Sequence, residues 1–270
     1  MSTESVLMEN HRGVAVITLN RPDELNTFDT DMINTVGQYL RQCDEDDAVR
    51  VVVLTGSGKA FCAGADLSAG ASTFDEKEDM SFSSCALSMQ PWEVRKPVIA
   101  ACNGHAIGVG LSTALMCDMR VFAEEGKYGL LQNRRGVVAD NVVEYLLPRL
   151  MGFERAFELI VRAVRLSGTE AKEWGLASRV TPAQDVLSTA MEIAEDMAVN
   201  CSPLVMAMHK RLLWQGLDMQ REAFVDLETR ALHYSMGRED AVEGGMAFFE
   251  KREPQWSSSV SRDWPDFLND

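Results

Sequence analysis

The chain has 270 residues, 46% of them hydrophobic and 25% charged, which excludes disorder and fibrous repeats and leaves enough length to bury a core without disulfide or metal staples. Its 26 Lys and Arg stand against 41 Asp and Glu, a net charge of −15. So acidic a chain is a poor partner for nucleic-acid phosphates, and the excess acid reads as a solubility device.

The first 13 residues carry neither a basic leader nor a long apolar stretch, so no signal peptide is expected. Val14–Asn20 is rich in β-branched residues and too apolar for a strand with one wet face. Val51–Leu54 and Pro97–Cys102 read the same way, as strands buried on both faces. Between the first two, Asp31–Cys43 places Met32, Ile33, Val36 and Leu40 at helical spacing. Strand, helix, strand predicts a right-handed crossover and a parallel sheet. A further helix is expected over Gly110–Cys117 and a strand at Arg120–Phe122.

From about residue 141 the pattern turns helical. Val142, Val143, Leu146 and Leu147 share one face, and Phe153–Val161 forms the next helix. Ser167 and Glu170 have capping-box spacing, Gly175 marks a helix stop, and Ser202-Pro203 an N-cap and first turn. Leu217–Phe249 holds no proline and has much helical periodicity. The chain therefore reads as α/β in its first part and nearly all α at its end, with the seam near residue 200. Ser68–Ser84 and the tail Trp256–Asp270 read as surface segments, the first also as a cover over a site. No internal repeat is visible.

No apolar run of roughly 18 residues occurs, so no membrane span is expected. Six cysteines form no CxxC pair and four stand in apolar runs, which predicts small buried hydrophobes in a reducing, cytoplasmic setting. His11, His105, His209 and His233 lack ligand spacing, so no metal site is expected.

Two glycine turns follow two of the strands. Lys59–Leu67 (KAFCAGADL) follows Val51–Leu54, and Asn103–Gly110 (NGHAIGVG) follows Pro97–Cys102 and precedes a helix. Small residues let backbone approach a ligand, and amides at such a turn or helix start can face an oxyanion. Alone, either turn could equally be a tight connection. The dinucleotide fingerprint is missing, because Thr113 stands where its third glycine would be.

These segments, in this order, resemble the crotonase family, also called the enoyl-CoA hydratase/isomerase superfamily. VAVITLNRPDELN, VVVLTGSGKAFCAGADL and KPVIAACNGHAIGVGLSTALMCD carry the resemblance, with LPRLMGFERAFELI, EAKEWGLASRV and AFFEKR beyond them. The resemblance implies a spiral of ββα units over residues 1–200 and a C-terminal helical trimerisation region over 201–270. It implies an acyl-CoA thioester as substrate, no separate cofactor, and a homotrimer or dimer of trimers. The amides of Ala65 and Val109 would hold the thioester oxygen. Glu24, Leu25, Ala63, Asp66, Leu67, Gly108 and Lys251 would line the CoA groove. Arg21, Lys59, Lys251 and Arg252 are candidate cations for the CoA phosphates.

The family's hydratases hold water between two glutamates, and at the matching positions this chain has Ser112 and Gln132. Neither can act as a base near neutral pH. A carboxylate follows at Asp140, the position of the single working acid in one isomerase branch of the family. From spacing alone, Asp140 reads as an N-cap or first-turn acid; from the resemblance, as the base. Glu144, at i+4, would share its face and could raise its pKa, or be a surface acid. The resemblance thus implies double-bond isomerisation through a thioester enolate. Hydration with rearranged acids, or acyl-CoA binding without turnover, are the other readings.

Overall fold

The computed structural model describes residues 4–68, 70, 84–85 and 87–269. Most of the expected Ser68–Ser84 cover lies outside the described residues.

The apolar runs become neighbouring strands. A six-stranded sheet is ordered β1 (Val6–His11), β2 (Val14–Leu19), β3 (Val51–Gly56), β5 (Val98–Cys102), β7 (Met119–Ala123), β10 (Arg179–Thr181). Only the β1–β2 pair is antiparallel. A smaller sheet is ordered β4 (Ala60–Cys62), β6 (His105–Ile107), β8 (Lys127–Gly129), β9 (Leu166–Ser167). Each of β3, β5 and β7 in the large sheet is followed at once by β4, β6 or β8 in the small one. This is a repeating spiral turn, although no sequence repeat announces it.

Alternate residues of the large sheet explain the continuous apolar runs. Ile17, Leu19, Leu54 and Ala100 face a core that also holds Phe61, Leu111 and Tyr128. Val14, Val16, Val51, Val53, Ile99 and Val121 face the other way. That second face is covered by α6 (Val186–Asn200), whose Val186, Ala190, Ala194 and Ala198 recur at i+4. Small side chains at that spacing let the helix lie close on the sheet.

The helix α1 (Thr30–Glu45) starts where expected, with Asp29 accepting from the Met32 amide at 2.8 Å. The capping box at Ser167 and Glu170 opens α5 (Gly168–Glu173), and Ser202 caps α7 (Pro203–Gly216). Among the described residues, no helix is long and apolar enough to cross a membrane.

One expectation is refined and one is corrected. The long stretch Leu217–Phe249 is two helices, α8 (Arg221–Met236) and α9 (Glu239–Glu250), broken at Gly237. The last residues are not a loose surface segment. The Trp256 indole donates to the Val199 carbonyl at 2.9 Å, and Ser257 and Ser258 amides donate to buried Asp240. Tyr234 donates to the Asp263 carbonyl at 2.9 Å, and Leu268 is fully buried among Leu204, Met208 and Leu227. The apolar residues of the tail supply the missing side of a third small core.

The helical end is bolted to the sheet core by buried lysine. Lys210 of α7 places Nζ 2.7 Å from Asp118 Oδ2, 2.7 Å from the Pro91 carbonyl and 3.0 Å from the Lys96 carbonyl. Asp118 also accepts from the Val98 amide and the Trp214 indole.

Candidate active site

The two glycine turns converge. The β4–β6 pairing brings Ala60–Cys62 beside His105–Ile107, so the turns that follow these strands lie side by side. Gly64 has φ +118° and Gly108 φ +56°, ψ −126°, conformations in which a side chain is strained. A Cβ on Gly108 would stand 3.9 Å from the Gly64 Cα and 3.9 Å from Gln132 Nε2. Three backbone bonds hold them: Phe28 donates to the Gly64 carbonyl, Asp66 to that of Phe28, and Gly108 to that of Gly129, each at 2.9 Å. Among the described residues, the amides of Ala65 and Val109 donate to no protein acceptor. Val109 opens α2 (Val109–Leu115), so its amide also lies at a positive helix end.

Packing of α2 on β4 sets this approach. A Cβ on Gly110 would stand 2.7 Å from the Cys62 Cβ, 2.8 Å from its sulfur and closer still to its carbonyl. Gly110→Ala should therefore push α2 off β4. We expect a loss of about 1–3 kcal/mol by chemical denaturation, because overpacking forces the helix and strand apart.

Asp140 faces this turn from the other side. Its Oδ1 accepts from the Ser112 hydroxyl, and its Oδ2 is 3.5 Å from Gln132 Nε2. Burial raises its pKa above the usual carboxylate value; hydrogen bonds from Ser112 and Gln132 oppose this, and the Glu144 charge adds to it. The three residues at the sequence-predicted acid and water positions thus form one cluster. Asn141 completes it, donating to Ser112 Oγ at 3.2 Å and Thr113 Oγ1 at 3.3 Å.

The expectation that Asp140 opens a helix is corrected. Helix α3 (Val143–Met151) begins later, and its N-cap position, Val142, has no side-chain cap. Asn141 and Val142 are both left-handed, at φ +52° and +49°. This turn sends the Asp140 carboxylate onto α2 and leaves Val142 exposed. Glu144 does not share a helical face with Asp140, because Asp140 is outside the helix; Glu144 is exposed and acts on it only through charge.

The groove residues divide. Leu25 accepts the Ala63 amide at 3.0 Å, and Leu25 and Leu67 present exposed apolar surface beside the turn. Glu24 is exposed in a short 3-10 turn, Pro22–Glu24. Asp66 is committed elsewhere: the Ser68 amide and hydroxyl and then Arg21 hold its carboxyl at about 2. Arg21 is also bound to Asp29 at 2.8 Å, and Arg252 to Glu243 and Glu250, so these two predicted phosphate cations are already paired. Lys59 and Lys251 are exposed, Lys251 as the left-handed cap of α9.

His105 is a stitch rather than a base. Its Nδ1 accepts the Lys127 amide at 3.1 Å, tying β6 to β8, and burial lowers its pKa. Asn26 and Asn141 carry parts that the sequence reading missed. Buried Asn26 accepts from the Arg21 amide and donates to the Ser57 and Ala60 carbonyls, all at 2.8 Å. Both asparagines are left-handed, and asparagine's tolerance of that conformation was the available signal.

The enoyl-CoA hydratase/isomerase family model matches residues 9–259. The chain belongs to the enoyl-CoA hydratase/isomerase family. Among its relatives, an enoyl-CoA hydratase of Alternaria alternata is 34% identical over 92% of this chain and 84% of its own. A crystal structure described as "a probable enoyl-CoA hydratase/isomerase from Mycobacterium abscessus" superposes with a TM-score of 0.90 at 42% identity, covering 94% of this chain and 99% of that one. The enoyl-CoA hydratase of Bacillus anthracis gives 0.86 at 34% identity over 94% and 99%. The family is catalytic, and it implies an acyl-CoA thioester as the substrate of this hydratase/isomerase.

Proposed function

We propose that this enzyme moves a double bond in an enoyl-CoA, with Asp140 as its one base. The observation that carries the reading is a half-buried carboxylate, held above its ordinary pKa, facing the paired glycine turns where Ser112 and Gln132 offer no second acid. The amides of Ala65 and Val109, without protein acceptors, would receive the thioester oxygen. For a 3-enoyl thioester, the Asp140 carboxylate takes a proton from Cα. The released electron pair spreads to the thioester oxygen, against the two amides. The Asp140 acid then returns the proton to Cγ, and the C=C bond has moved from β,γ to α,β. Asp140 ends as it began, so one carboxyl suffices.

Leu25, Ala63 and Leu67 would flank the CoA moiety, with Lys59 and Lys251 as the cations toward its phosphates. Exposed Leu213, Val225, Leu232, Met236, Val242 and Phe249 on α7–α9 support burial of the helical end in a homotrimer.

One observation favours hydration as the second reading. Gln132 Oε1 is buried without a donor, and a water held there could add to a 2-enoyl thioester. The conjugated thioester absorbance separates the two. Isomerisation predicts absorbance growing from 3-enoyl-CoA and no loss from 2-enoyl-CoA. Rapid loss from 2-enoyl-CoA, with 3-hydroxyacyl-CoA appearing, would replace isomerisation by hydration.

A further inference from the structure

The Ser112 hydroxyl has one proton and two acceptors. Its Oγ is bonded to Asp140 Oδ1 and lies 3.1 Å from the Val109 carbonyl oxygen. Asn141 Nδ2 donates to the same Oγ and so fills one of its lone pairs. Ser112 is fully buried, so these protein partners decide where its proton goes. A base that takes and returns one proton must exist as carboxylate and as acid within each turnover. A fixed N–H donor on Asp140 would favour only the carboxylate; a hydroxyl can donate to the carboxylate and accept from the acid.

We propose that Ser112 is a positioning residue whose hydroxyl follows the proton of Asp140: it donates to the carboxylate, then accepts from the acid while turning its own proton to the Val109 carbonyl. This rests on the reading of Asp140 as the base. No atom is gained or lost in the turn. Asn141 holds Ser112 Oγ in place in both states, through a bond that neither state needs to break. Because Val109 also carries one of the two acceptor-free amides, the proton state of the base is reported into the peptide segment that would face the substrate oxygen.

Other titratable groups face Asp140 from each side. Glu144 lies on α3 and is exposed, and the Cys62 thiol of β4 is buried and pushed up to about 12, so it stays neutral. Gln132, Ser112 and Asn141 do not ionise.

The test is carbonyl NMR on the whole enzyme, with ¹³C-carbonyl valine and ¹⁵N-glycine. Only Val36–Gly37 and Val109–Gly110 are Val-Gly pairs, so two signals appear, and the first, in α1, is the reference. In the wild type the Val109 carbonyl signal should titrate with the Asp140 carboxyl midpoint. In Ser112→Ala it should stay flat, the Asp140 midpoint should rise by roughly one pH unit, and kcat should fall about tenfold. Glu144→Gln should leave the Val109 titration in place. A Val109 signal that is flat in the wild type, or that titrates equally in Ser112→Ala, overturns the proposal. Asp140→Asn judges the base separately: if it isomerises at the wild-type rate, the base assignment falls, whatever the Val109 signal shows.

Discussion

Asp140→Asn should lower turnover of a 3-enoyl thioester by roughly 10²–10⁴-fold while making the protein more stable at neutral pH. The amide keeps the shape and can still accept from Ser112, but it cannot take a proton from carbon. Acyl-CoA should still bind, because neither the Ala65 nor the Val109 amide is touched. The stability gain follows from the sign of the pKa shift. Burial raises the folded-state pKa of Asp140, so the folded state holds this proton more tightly than the unfolded chain does. Ionisation therefore weakens the fold. That cost is absent at pH below the unfolded value, grows as pH rises toward the folded pKa, and is complete above it. The variant should melt higher than the wild type above that window, by ~2–4 °C if the gain is about 1 kcal/mol, and level with it at low pH. The same shift places the acid limb of the wild-type kcat/KM profile above the ordinary carboxylate range, since the base must be ionised to act. Thermal melts across pH and a rate profile check both; equal stability at all pH, or full activity, would refute the account.

The second large effect lies away from the site. Lys210→Ala should cost about 3–5 kcal/mol, because it strips a buried ammonium from Asp118, Pro91 and Lys96 and leaves an underpaired carboxylate inside the fold. Adding Asp118→Asn should recover part of the loss, since the amide oxygen can still take the Trp214 or Val98 donor without a charge to neutralise. A denaturant-unfolding double-mutant cycle measures the coupling. A Lys210→Ala loss below about 0.5 kcal/mol, the scale of an ordinary surface change, would show that the bolt holds nothing.

Much of the fold was legible because the information is local. Residues 14–17, 51–54 and 98–102 are apolar at successive positions, and only a strand covered on both faces needs that; α6 and the inter-sheet core provide the two covers. The caps at Ser167 and Ser202 lie within three residues of the amides they serve. The tail was misread because Ser257, Ser258 and Ser261 are polar by composition, yet their partners Asp240 and Asp47 are far away in sequence. The ion pairs of Arg21 were not legible for the same reason: the carboxylates that hold it are not visible from its own neighbours.

By itself the sequence determined the α/β-then-α division, the two glycine turns, the acid at position 140 and the missing acids at 112 and 132. Residue type and short-range period are enough for those. Only the tertiary structure decided what Asp140 does with its side chain. Spacing offered an N-cap, but two left-handed residues delay the helix and turn the carboxylate onto Ser112, 28 residues earlier in the chain. Which partner a side chain meets depends on backbone direction accumulated over every intervening element, and no local pattern carries that information.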